Sequence, residues 1–84
     1  MRKILKFYAD WCGPCKMLST TIKDITDQKD IGVIIEEVNI EENIEVASQY
    51  SVRSIPTMVL LDNGHEIRRV SGAISKERFM EFVG

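Results

Sequence analysis

Both cysteines of this 84-residue chain stand in one short stretch, Trp11-Cys12-Gly13-Pro14-Cys15-Lys16. On the first turn of a helix, residues at i and i+3 share a face and lie close enough to form a disulfide after a small adjustment. Such a pair can be a structural disulfide, half of a metal site, or a reactive dithiol. A disulfide this short closes too small a loop to restrain the unfolded chain much. A structural zinc site needs about four ligands. The chain offers two Cys and one His, and His65 falls on a hairpin turn far along the sequence. No metal is therefore expected, and a redox pair is the favoured reading. Gly13 lets the chain bend tightly, and Pro14 fits the first helical turn, where its missing N–H costs nothing. Cys12 then sits at the helix N-terminus, where free N–H groups and the helix dipole stabilise a thiolate. Cys15, one turn in, is expected to be the more buried. Cys12 would attack a substrate disulfide, and Cys15 would resolve the mixed disulfide.

The elements that must hold this pair can be read around it. Residues 3–9 (KILKFYA) have the residue types of a strand. From Pro14 to Lys29, Leu18, Ile22 and Ile25 recur at helical spacing and form one apolar stripe. Residues 32–39 (GVIIEEVN) read as a second strand, and their continuous apolar start predicts burial on both faces. Asn43 is placed to cap a short helix reaching Tyr50, with Ile44, Ala47 and Tyr50 turned inward. Residues 55–61 form a third strand. Asp62-Asn63-Gly64 turns it into a polar, arginine-bearing edge strand, 65–70. Ser75 caps a last helix that buries Phe79, Phe82 and Val83, with Ile74 and Phe79 as a hydrophobic staple. The order is βαβαββα, an α/β fold with right-handed strand–helix–strand crossovers.

Length allows one domain, 1–84. A net charge of −2 gives no basic excess for nucleic acid, and no apolar run is long enough to span a membrane. The start, MRKILKFYADWC, lacks the long apolar core and small-residue cleavage site of a secretion signal. A cytoplasmic location is expected, where stable disulfides are rare and a lone Cys-x-x-Cys is more often redox-active or metal-binding.

Read together, Trp11-Cys12-Gly13-Pro14-Cys15-Lys16 and Ser54-Ile55-Pro56-Thr57 resemble the two signatures of the thioredoxin family, with Gly64 and Gly72 at its later glycines. The resemblance runs over essentially the whole chain. It implies a truncated thioredoxin-like fold lacking the family's usual first strand and helix, with a four-stranded mixed sheet in order 2-1-3-4 flanked by three helices. It further implies a thiol–disulfide oxidoreductase that reduces protein disulfides by cycling the Cys12–Cys15 pair, as a monomer. No bound cofactor is implied. Electrons would come from NADPH through a flavoprotein thioredoxin reductase, with a glutathione-driven carrier or a non-catalytic subunit as the alternatives. Pro56 would follow a cis peptide bond, and the backbone of Ile55 would pair with substrate as an added strand. Trp11, Gly13, Ile55, Gly72 and Ala73 would form the docking surface.

The two main departures from the family pattern are charged, beside lesser ones at Thr20, where a helix proline is usual, and at Tyr8, where the family has a tryptophan. Where the family usually buries an aspartate beneath the active site, this chain has Lys6; where a lysine usually stands nearby, it has Glu37. Both signs have changed. A buried charge without a partner is costly while a paired one is tolerated, so a swapped Lys6–Glu37 pair is expected, with Glu37 as the base for Cys15.

Overall fold

Strand β1 (Arg2–Tyr8) runs through the interior of the sheet, and four consecutive residues, Ile4 to Phe7, are buried. Side chains alternate along a strand, so Ile4 and Lys6 face one side of the sheet and Leu5 and Phe7 the other. The computed structural model describes residues 1–84. After β1 come α1 (Gly13–Thr26), β2 (Ile34–Asn39), α2 (Ile44–Gln49), β3 (Thr57–Asp62), β4 (His65–Ser71) and α3 (Lys76–Val83). The strands lie in the order β2-β1-β3-β4. β1 and β2 are parallel, as the α1 crossover requires, and the other two pairings are antiparallel. This is the βαβαββα arrangement and the 2-1-3-4 order expected.

Each face of the sheet has its own core. On one, Leu18, Ile22 and Ile25 of α1 meet Phe79, Phe82 and Val83 of α3 over Ile4, Met58 and Leu60. On the other, Leu5, Phe7, Val38, Val59 and Leu61 lie under Val46, Ala47 and Tyr50, and the Tyr50 ring tilts against Phe7 at 5.9 Å. The β3–β4 hairpin turns through Asn63 (φ 51°) and Gly64 (φ 87°), two successive left-handed residues that match the twist of the flanking strands. Arg69 anchors β4 by pairing with Glu66 and donating to the Tyr50 carbonyl at 2.7 Å. Ser75 caps α3, its Oγ accepting from the Arg78 N–H at 3.2 Å. Ser75→Ala is expected to cost about 1 kcal/mol, read as a lower urea midpoint at unchanged slope.

Several boundaries and burials differ from expectation. α1 stops at Thr26, because residues 26–30 carry nothing apolar to bury; Gln28 and Lys29 are exposed. β2 is not buried on both faces. It is an edge strand, and Ile34 is 50% exposed. Asn43 does not cap α2 with its side chain. Its amide instead donates to the Asn39 carbonyl, drawn there by a turn in which Asn39 Oδ1 accepts from the Glu41 N–H. Ile44 points to solvent, leaving Val46, Ala47 and Tyr50 to face the sheet. β3 starts at Thr57, after the loop that carries Pro56.

Candidate active site

Cys12 is the N-cap of α1, with extended backbone dihedrals, and its sulfur accepts the Cys15 N–H at 3.2 Å. The local sequence dictates this. Pro14 has no N–H to offer, so the Cys15 amide is the one that reaches the capping atom. The two cysteines are disulfide-bonded with Cα atoms 5.2 Å apart. The Cys15 N–H thus points at the Cys12 sulfur from inside the first turn.

The sequence led us to expect an open Cys12 in front of a buried Cys15. Instead both are buried, at 4% and 2% exposure. The cause is packing. The Cys12 N–H bonds back to the Ala9 carbonyl, folding the segment inward, and Tyr8, Ile40 and Ile55 close around Ala9 and the sulfur pair. Trp11 remains outside, 68% exposed.

Opposite the cysteines, the Ile55–Pro56 peptide bond is cis and Pro56 is buried. Two hydrogen bonds tie this loop to the end of β4, and a third closes it on itself. Gly72 N–H donates to the Pro56 carbonyl at 2.8 Å, Thr57 Oγ1 donates to the Ser54 carbonyl at 2.7 Å, and Thr57 and Ser71 share a hydroxyl bond at 3.0 Å. Gly72 has φ 95°, where a side chain would be strained. The backbone of Ile55 makes no backbone hydrogen bond within the chain. Of the expected docking residues, Trp11 and Ile55 line one groove of about 330 Å³. Gly13, Gly72 and Ala73 lie outside that groove. The groove's other walls, Ile40, Ala47, Val52, Arg53 and Ser54, were not foreseen. No local signal marks them as groove walls; the fold gathers them around Ile55.

Lys6 and Glu37 are register partners on β1 and β2. The Lys6 ammonium lies 3.2 and 3.3 Å from the two Glu37 oxygens and also donates to Ser19 Oγ. The Lys6 side chain is 2% exposed and that of Glu37 51%. The pair therefore forms, but it is buried at one end only. The edge position of β2 leaves the carboxylate in water. Ser19 was missed, although it follows Cys15 by one helical turn and so lies on the same face. Cys15, Ser19 and Glu37 line one crevice of about 270 Å³, together with Tyr8, Asp10 and Lys16. Lys6, Ser19 and Glu37 line the next.

A sheet of this order, with a Cys-x-x-Cys disulfide at the start of its first helix and a cis-proline loop beside it, defines a thiol–disulfide oxidoreductase. The family model described as Thioredoxin matches residues 2–84. The chain belongs to the thioredoxin family. It is 40% identical over 80 residues to the thioredoxin of Buchnera aphidicola, covering 95% of this chain and 74% of that protein. To the thioredoxin of Chlorobaculum thiosulfatiphilum it is 40% identical over 73 residues, covering 87% and 68%. The thioredoxin structure of Fasciola hepatica superposes with a TM-score of 0.86 at 31% identity, over 98% of this chain and 77% of that one. That of Malassezia sympodialis also gives 0.86 at 31% identity, over 98% and 71%. No helix is long and apolar enough to cross a membrane.

Proposed function

We propose that this thiol–disulfide oxidoreductase works as a protein-disulfide reductase, with residues 1–84 as one domain acting as a monomer in the cytoplasm. The observation that carries the reading is the Cys15 N–H aimed at Cys12 Sγ, which favours Cys12 as the thiolate. The Cys12 thiolate attacks one sulfur of a substrate disulfide, forming a mixed disulfide and releasing the other sulfur as a thiolate. Cys15 gives up its proton and attacks Cys12 Sγ. The Cys12–Cys15 disulfide forms and the second substrate sulfur leaves, so two electrons pass to the substrate. Gly13 and Pro14 shape the turn. The unpaired backbone of Ile55, held up by Pro56, pairs with an extended substrate segment. Trp11, Gly72 and Ala73 complete the contact surface.

Glu37 accepts the Cys15 proton through water in the crevice they share, and Lys6 holds the carboxylate in place. The oxidised protein is returned to the dithiol by a flavoprotein thioredoxin reductase using NADPH, with no cofactor bound to the chain itself. Its partners are that reductase and disulfide-bearing proteins, not nucleic acid or membrane.

The test is a coupled assay. With NADPH, a thioredoxin reductase and a disulfide substrate, NADPH oxidation is expected to depend on this protein. Rapid reduction by glutathione, with none through the reductase, would overturn the choice of donor. Full biological function in a Cys12→Ser, Cys15→Ser double variant would overturn catalysis.

A further inference from the structure

The groove beside the disulfide is apolar on nearly every wall: Trp11, Ile40, Ala47, Val52 and Ile55 contribute, and Ser54 is neutral. Arg53 is its one charged lining residue. Arg69, on β4, is by contrast paired with Glu66. Arg53 is exposed and has no carboxylate partner within the chain. An unpaired guanidinium at the edge of an apolar cleft is a ready fork for a carboxylate.

The groove is continuous with the sulfur pair, since Ile40 and Ile55 both line it and pack against the cluster containing Cys12 and Cys15. A substrate segment joined to Cys12 through its sulfur therefore has its neighbouring side chains at the groove mouth. At about 330 Å³ the groove is at the small end of ligand clefts, room for a large apolar side chain rather than a whole ligand. Glu41, Glu42 and Glu45, at the start of α2, do not line it and face solvent.

We infer that Arg53 is a specificity-determining residue. The substrates it selects are disulfide-bonded segments carrying a bulky apolar residue next to the attacked cysteine and an acidic residue within two positions of it. The apolar side chain fills the groove between Trp11 and Val52, and the carboxylate meets the Arg53 guanidinium. This rests on the reductase reading above and adds the sequence preference of the substrate. A single exposed ion pair is weak, and exchanging attraction for repulsion roughly doubles its effect, so a preference of about three- to tenfold is expected at low salt.

The experiment uses two disulfide-linked peptides, alike but for Glu or Lys two residues from the cysteine, each with Leu beside it. The ratio of their kcat/KM values is measured for the wild type, Arg53→Gln and Arg53→Glu. The wild type is expected to prefer the Glu peptide about three- to tenfold. That preference should fall towards unity near 1 M salt, where charges are screened beyond about 3 Å. Arg53→Gln should remove it and Arg53→Glu should reverse it. An unchanged ratio in Arg53→Glu, with reduction continuing, overturns the role of Arg53 and leaves the reductase reading intact. Failure of the wild type to reduce either peptide overturns both.

Discussion

A Cys15→Ser variant is expected to stop halfway, holding its substrate covalently on Cys12. Serine keeps the size and position of the helix-turn side chain but supplies no thiolate to attack the mixed disulfide. The complex should appear as a band of summed mass on a non-reducing gel and vanish with dithiothreitol. Cys12→Ser should capture nothing and lose turnover by at least about a thousandfold, since the nucleophile itself is gone. The asymmetry follows from the geometry. The Cys15 N–H points at Cys12 Sγ at 3.2 Å, so the capping interaction favours charge on that sulfur. Both cysteines are almost equally buried, so the expected difference rests on the cap and not on exposure. Equal trapping by both variants would refute the assignment.

The second large effect concerns the buried lysine. Glu37→Gln leaves the Lys6 ammonium, 2% exposed, with only Ser19 and a neutral amide as partners. Breaking a fully buried pair costs about 3–5 kcal/mol. Here the carboxylate is 51% exposed and water reaches it, so a smaller loss of about 1–3 kcal/mol is expected. Lys6→Met removes the charge and keeps much of the volume, and is expected to be neutral or stabilising, because it also removes the desolvation of the ammonium. Urea midpoints at constant slope distinguish the two. If Lys6→Met is the more destabilising, the lysine is held by packing rather than by its charge. The same Glu37→Gln variant should slow release of the mixed disulfide at neutral pH if Glu37 receives the Cys15 proton. An unchanged pH profile would remove that role from Glu37 while leaving the stability result standing.

Much of this was legible in the residues. The Cys-x-x-Cys turn, the apolar stripe of Leu18, Ile22 and Ile25, and the Asn63-Gly64 hairpin are local signals, each fixed by chemistry within a few positions. The Lys6–Glu37 pair was legible only through the resemblance, because nothing local marks one lysine in a strand as buried. What the residues did not disclose depends on long-range placement. Val33, Ile34 and Ile35 look like an interior strand, yet β2 is an edge, and strand order is not written in any one segment. Asn43 has the right type for a cap, but Asn39, four residues earlier, offered its amide a better partner. The groove around Arg53 gathers Trp11, Ile40, Ala47 and Val52 from separate elements. Only the folded chain brings them together.

The loop at Pro56 has one more consequence. It hangs from the end of an edge strand by the Gly72, Thr57 and Ser71 hydrogen bonds, while the sulfur pair is carried by the first turn of α1. These are separate mountings. Edge strands and loop ends loosen before interior elements do. The loop also runs straight into buried Thr57 of the interior strand β3, so the tether to the edge strand is the part expected to loosen first. Fraying of β4 should slacken the contact surface at Gly72 while the turn that carries the sulfur pair keeps its place.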